Sequence, residues 1–526
     1  MLTGFIFDVL PGLLYQLEEK VRESALFQLL QWLWQAFGES LIFRAVRGAY
    51  HRVRDLCYES LIGHILARHR HEGQIYEGSF IALLFNSVMS GVTWLLRKIM
   101  GLLTFGTYDS AMLSLGRGAL ARLPWLDFEF VSGGLVLLML LCPSQLWHNV
   151  YALGMGAALF ALLILLAAAQ DRPALRLETI GLPLVAFAFS SVVGVGIAGD
   201  RNEGVRVFCF FLAAFLFCAA IAGSVTDERK LKKLLAFIYI GVVAAAAVAI
   251  VQRFLGVSVS ASLTDLANNR GMPGRVYSVY ENPNNYAEII VLLFPAAAAW
   301  CAMLKEKYQR VYAGVGLLLP VIALLMTYSR SSWVGFALAV VTFLFFYNKR
   351  VLPAFFLLAL LALPLLPQTI WNRILTIGST SDSSNMYRVG IWNTVLDMLG
   401  DHGLIGLGLG PGNFVPVYLP IRPSQYTPHA HMVYLEVWIE MGLLGIGSYL
   451  AYYLTTVRRA VVSMARASQA ARLTLIAGVS SLVGIAFVSA AEYIWYYPRV
   501  MFCFFILTGI MAACVSMTKE EASPQP

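Results

Sequence analysis

The sequence predicts an all-α, polytopic membrane bundle of about twelve transmembrane helices, and three observations carry that reading. Of its 526 residues 59% are hydrophobic and only 13% charged, with a mean hydropathy of +0.70, so there is too little polar surface to cover soluble domains. Runs such as LWHNVYALGMGAALFALLILLAAA and LLAFIYIGVVAAAAVAIVQRFLG are long enough to cross a hydrocarbon core of about 30 Å, which takes roughly 20 helical residues. Lys and Arg, finally, gather in alternate connections between such runs, as in chains threaded back and forth through a bilayer.

Residues 1–125 differ from the rest. Twelve Lys or Arg and ten Asp or Glu are interleaved there with aromatic patches such as ALFQLLQWLWQAF and basic stretches such as FRAVRGAYHRVRDL, the pattern of amphipathic helices on a membrane surface. This region reads as cytoplasmic, and no chemistry is assigned to it. Within it FIALLFNSVMSGVTWLL, 80–96, is about long enough to span but is flanked at once by Arg97 and Lys98, so an interfacial position is expected. The opening MLTGFIFDVLPG lacks a basic residue and carries Asp8, so no cleaved signal peptide is expected.

The transmembrane domain is placed at 126–516. Its spans are expected near 130–147, 149–169, 179–197, 206–223, 234–254, 286–304, 311–328, 332–347, 351–367, 431–454, 473–490 and 499–516. Polar stretches interrupt them at 255–285 and at 368–430, the latter a large loop between helices 9 and 10, and residues 517–526 form a tail. The short connections at 170–178, 224–233, 304–310, 347–350 and 455–472 together hold fifteen Lys or Arg; the alternate short connections hold four. The positive-inside rule then makes both termini cytoplasmic and both long loops external. The same rule accounts for the net charge of +8 without nucleic acid. Seven cysteines, mostly inside apolar segments, lack the spacing of a zinc site or disulfide framework and read as packing residues.

This topology gathers Arg270, Arg275, Arg330, Arg373, Arg388, His429 and His431 on the outer side, although they are scattered over 160 residues. In YTPHAHMVYLEVWIEMGLLGIG, 426–447, a continuous helix puts His431, Leu435, Trp438, Gly442 and Gly445 on one face, with the glycines letting a neighbouring helix approach closely. Glu440 falls on the opposite face about 13 Å deeper, where a carboxylate needs a partner or a proton. Alone, His431 reads as an interfacial histidine bonded to a carbonyl. Arg330 in TYSRSSWVG stands on the outer side, against topological preference, and suggests an anionic partner; otherwise it is a side chain snorkelling to lipid phosphate. In RGMPGRVYSVYENPNNYAE the asparagines at 282–285 suit helix capping with Pro just inside, which leaves Arg275 unexplained. Arg388 lies one turn before Trp392 on an expected helix, and GLIGLGLGPGNF reads as a shaped loop, not a Walker loop, since no Gly-Lys-Ser/Thr follows. DxD is absent from the outer loops, so a metal is not expected, nor any other cofactor. A histidine able to take a hydroxyl proton, with guanidinium groups that match phosphate oxygens, suits substitution at a carbon whose leaving group is a diphosphate.

Over roughly 130–515 the chain resembles the O-antigen ligase and Wzy-type polymerase superfamily of bacterial membrane glycosyltransferases. His431, Gly442 and Gly445 fit its pattern of His, a polar residue, nine residues, Gly, two residues, Gly, although Met432 stands at the polar position. TYSRSSWVG, GRVYSVYENPNNYAE and YRVGIWNTVL are similar to its other motifs, in the same order. The resemblance implies transfer of a glycan from undecaprenyl diphosphate to a hydroxyl of a glycan, lipid or protein acceptor, in the bacterial plasma membrane and with inversion. It implies His431 as general base, with Arg275, Arg330 and Arg388 on the diphosphate and His429, Glu440 and Asn284 in support. Polymerase and ligase are not separated by these motifs. A transporter or flippase should show ionisable groups in mid-span or two matching halves, and a scaffold would need neither His431 nor Arg330.

Overall fold

The computed structural model describes residues 79–105, 128–170, 172–256, 274–375 and 383–522, with the isolated positions 28, 48, 52, 76 and 377. Every regular element among the described residues is helical. In order, leaving out the turns of three or four residues, these are α1 (Phe80–Phe105), α2 (Phe128–Leu141), α3 (Asn149–Ala169), α4 (Leu182–Ile197), α5 (Arg201–Ser224), α6 (Glu228–Phe254), α7 (Pro283–Met303), α8 (Lys307–Gly316) and α9 (Leu318–Met326). Then follow α10 (Arg330–Asn348), α11 (Leu352–Ala362), α12 (Gln368–Leu375), α13 (Ser383–His402), α14 (Pro411–Ile421), α15 (Val433–Ser463), α16 (Gln469–Ser489) and α17 (Pro498–Ala522). Apart from α1, the N-terminal region expected to be amphipathic lies almost wholly outside the described residues.

Each expected span falls on helix, and ten stretches among the described residues are long and apolar enough to cross a membrane. One is the continuous run 330–362, and α2 and α4 are shorter apolar helices. The span expected at 311–328 is divided at Leu317 into α8 and α9. α10 and α11 lead away from one end of the bundle and back again, because Tyr328 before α10 and Thr369 on α12 share a 3.2 Å hydrogen bond. No side chain of α11 is buried, so this hairpin arm faces lipid.

α1 is one of the ten apolar stretches; it packs against α3, and three hydrogen bonds tie it and Tyr76 to one connection. The Leu182 amide donates to the Tyr76 hydroxyl, the Leu177 amide to Asn86 (2.9 Å), and Arg97 Nε to the Ala168 carbonyl (3.2 Å). Positions spread over 21 residues thus all meet the single connection 168–182.

α16 and α17 are the most enclosed helices. α10 packs against α16 where two glycines meet: a Cβ on Gly335 would lie 2.7 Å from the Gly484 carbonyl oxygen, and one on Gly484 only 2.5 Å from that of Gly335. This backbone contact brings the first residue of α10, Arg330, to the same end as the connection that follows α16. That connection, 490–497, therefore lies over the middle of the bundle.

Candidate functional site

Glu492 hangs from this central connection, its amide bonded to the Val488 carbonyl at the end of α16. Only 9% of it is exposed. Side chains from three other segments converge on it. Arg388 of α13 forms an ion pair with Oε1, Asn284 in the first turn of α7 donates to the same oxygen at 3.2 Å, and His431 Nδ1 stands 3.8 Å from Oε2. Burial alone would raise the carboxyl; Arg388, His431 and Arg275 outweigh it and hold it below its ordinary value.

Arg275 arrives on the strand-like stretch before α7, pinned by the Val276 amide to the Met326 carbonyl. Its Nε donates to the Thr327 carbonyl at 2.7 Å and a terminal nitrogen to Asn284 Oδ1 at 2.5 Å. Asn284 thus joins Arg275 to Glu492. Asn282 supplies the N-cap of α7, accepting from the Asn284 amide, with Pro283 next, as the capping pattern predicts. Burial lowers the Arg275 guanidinium to about 10, with Arg373, Arg388 and Arg330 adding repulsion and Glu492 opposing them. Four arginines from four segments are therefore close enough to sense one another. Arg373 is fixed over this cluster by Nε to the Tyr328 carbonyl, 3.4 Å.

The two histidines are not equivalent. The His431 amide donates to His429 Nδ1 at 3.1 Å, and the rings lie 4.2 Å apart. His429 packs on Tyr496 and Tyr493, with centroids at 4.4 and 5.5 Å. Burial, then the positive charges of His431 and Arg388, push it well below the usual histidine value. His429 is a neutral support with its Nδ1 occupied. His431 instead faces Glu492, with Tyr387 beside it at 5.8 Å. Its backbone is left-handed, φ 51°, as are Ser278, Glu281 and Tyr328; these are the four non-glycine residues with positive φ among those described, and all lie at this end of the bundle. Such conformations cost about 1–3 kcal/mol and collect at functional sites.

The expected helical face from His431 to Gly445 is corrected by the structure. The helix begins only at Val433 and is broken at Gly442 (φ 65°, ψ −163°). Gly442 does not admit a neighbouring helix: an added Cβ would lie 2.4 Å from the Leu404 carbonyl oxygen, because the glycine-rich loop 403–410 lays its backbone into the break. The Leu407 and Gly408 amides donate to the Ile439 and Glu440 carbonyls, and the Leu443 amide to that of Leu404. Gly445 likewise faces its own helix, where a Cβ would clash with Met441 Cβ at 2.2 Å. Glu440 finds its partner in this loop, accepting from the Gly410 amide at 2.6 Å. It is a staple between loop and helix, apart from the cluster around Glu492. Arg388, expected on a diphosphate, is engaged by Glu492.

Sequence reasoning brought His431, Arg275, Arg330 and Arg388 to one side but missed Glu492. It also missed Glu288, one turn below Asn284 on α7, 2% exposed and with Oε2 lacking a hydrogen-bond partner. The usable signal was that a carboxylate level with several arginines needs a positive partner.

Residues 315–450 match the family model for O-antigen ligase. Over this stretch, about a quarter of the chain, the sequence is similar to O-antigen ligases. The stretch holds Arg330, Arg373, Arg388, both histidines and the broken helix of α15. The matched stretch does not hold the whole cluster, since Arg275, Asn284 and Glu492 come from outside it. No curated protein matches the chain. The apolar helices make this an integral membrane protein, and its matched stretch is similar to O-antigen ligases.

Proposed function

We propose that the protein transfers a glycan from undecaprenyl diphosphate to an acceptor hydroxyl at the outer face of the bacterial plasma membrane. The observation that carries this reading is the convergence of His431, Arg388 and Arg275 on Glu492 and Asn284, with Arg330 and Arg373 near enough to repel Arg275. His431 directs Nδ1 toward the carboxylate, and a shortening of that 3.8 Å approach on substrate binding would fix the ring and leave Nε2 for the acceptor. Nε2 takes the hydroxyl proton as the acceptor oxygen attacks the anomeric carbon. The carbon–oxygen bond to the diphosphate breaks, its electron pair leaves with the phosphate, and attack from the opposite face inverts the centre. Arg275 and Arg330 meet the charge that develops on the leaving group, where preorganised donors contribute most. Arg388 keeps Glu492 ionised. A diphosphate entering the arginine cluster would also relieve the mutual repulsion that lowers Arg275. The reaction needs neither metal nor nucleotide sugar on this reading.

The distribution of Lys and Arg supports the sidedness, with both termini cytoplasmic. The test replaces His431, Arg330 and Arg275 singly by Ala in the native host and follows both the surface glycan and its lipid-linked precursor. Loss of His431 is expected to slow transfer about 10²–10⁴-fold. Shortened chains would identify a polymerase, and intact polymer stranded on lipid a ligase. Wild-type glycan in all three variants would overturn the mechanism.

A further inference from the structure

Beside the cluster, at the same end of the bundle, the connection 142–148, the turn 279–282 and the start of α17 enclose a cavity of about 180 Å³. Trp147, Asn149, Tyr280, Glu281, Asn285 and Tyr497 line it. Its floor is Arg499, whose guanidinium lies 5.2 Å from the Trp147 ring and 4.8 Å from that of Tyr280. Arg499 also donates to the Cys142 carbonyl at 2.7 Å and, more weakly, to that of Val279 at 3.5 Å. The Tyr280 hydroxyl donates to the Leu140 carbonyl at 2.6 Å and the Ser144 amide to Val279. The walls are thus held by three chain segments before any ligand arrives.

The chemistry of the lining is specific. Trp147, Tyr280 and Tyr497 offer apolar ring faces, while Trp147 Nε1 fixes Asn149 through its Oδ1 at 2.9 Å and leaves that amide's NH₂ able to donate. The Glu281 carboxylate makes no hydrogen bond among the described residues, and Glu281 is held in a left-handed conformation, φ 60°, which is uncommon for a non-glycine residue. Glu281 offsets the Arg499 charge, and both terminal nitrogens of Arg499 already donate to backbone carbonyls, so nothing in the lining favours a phosphate, while the polar floor disfavours an acyl chain. Ring faces for C–H surfaces, together with a carboxylate and amides for hydroxyls, match a neutral sugar, and the volume suits about one hexose ring.

The cavity is joined to the reaction site by one turn of helix. Asn282 donates to the Tyr497 hydroxyl at 3.0 Å, Asn284 donates to Glu492, and Asn285 faces the cavity. We propose that this cavity is a carbohydrate subsite that holds one uncharged monosaccharide unit away from the reacting bond and thereby selects the glycan repeat. That the unit belongs to the substrate glycan rests on the function proposed above; the binding itself does not.

The test is saturation-transfer NMR on the full-length protein in lipid nanodiscs with free glucose, galactose, mannose, rhamnose and N-acetylglucosamine. At least one sugar is expected to bind, with affinity reduced fivefold or more in Glu281→Gln, an exposed position with no hydrogen bond to lose, and in Asn149→Ala. Binding should persist in His431→Ala. Absence of binding by every sugar, or binding unchanged in both cavity variants, overturns the subsite. If binding behaves as expected while His431→Ala keeps wild-type glycan in cells, the catalytic reading fails and the subsite stands.

Discussion

Glu440 and Glu492 are both glutamates almost wholly withdrawn from solvent, 2% and 9% exposed, and their partners are of opposite kinds. Glu440 accepts from a backbone amide, that of Gly410, and its neighbour Glu436 does the same from Ala430. Glu492 is met by the side chains of Arg388, Asn284 and His431, brought from three segments more than 50 residues away in sequence. A carboxylate bonded to loop amides fastens a loop to a helix. One ringed by remote, ionisable side chains gathers a site, because each partner must be carried there by its own element and can also act on something else. Burial by itself does not distinguish the two; the identity of the partners does.

That contrast can be broken most severely at Glu492. Glu492→Gln keeps the hydrogen bond from Asn284 but removes the charge that faces His431 and pairs with Arg388, so transfer in a lipid-linked precursor assay should fall at least about tenfold, with a lower thermal midpoint as Arg388 loses its anion. Glu492→Ala should lower stability as well, since Arg388 would lose its anion. The next largest effect is expected on the loop side of the comparison, in Gly442→Ala. The added carbon would collide with the Leu404 carbonyl at 2.4 Å in a left-handed residue, and about 1–3 kcal/mol should disappear from stability, read as a lower denaturation midpoint.

A smaller effect separates the histidines. Because burial holds His429 well below the ordinary histidine value, the folded protein binds fewer protons there than the unfolded chain. Stability contributed by keeping this ring neutral is complete above about pH 6.5 and declines as the pH falls below it. His429→Asn should flatten the loss of thermal stability between about pH 6.5 and 5. The smallest effect should come from Glu440→Gln, whose amide oxygen can still accept from Gly410. Its transfer rate is expected within about twofold of the parent, since a neutral acceptor retains a bond worth roughly 1 kcal/mol. A large loss of transfer in this variant with an unchanged midpoint would place Glu440 in the site and erase the distinction.

Helix positions were legible because apolar length is a local property: the run that fills α6 needs no knowledge of its neighbours to be a membrane helix. The grouping of Arg275, Arg330, Arg388 and His431 was legible for a related reason, since alternation of basic connections assigns each turn to a side. The glycines failed the helical-wheel argument because it assumed one unbroken helix through Gly442, and the break exists only to receive the backbone of loop 403–410. Glu492 was not legible, as nothing within its own stretch shows that Arg388 and Asn284 lie against it.

By itself, then, the sequence determined a lipid-embedded helical chain and that His431, Arg275, Arg330 and Arg388 share one end of it, because hydropathy and charge act residue by residue against water and bilayer. Which of those groups touch was decided only by tertiary packing. The Gly335–Gly484 contact sets Arg330 beside the connection that bears Glu492, and the turn before α7 carries Arg275 to Asn284. Distances of a few ångströms between segments hundreds of residues apart depend on how whole helices fit together, and no local pattern encodes them.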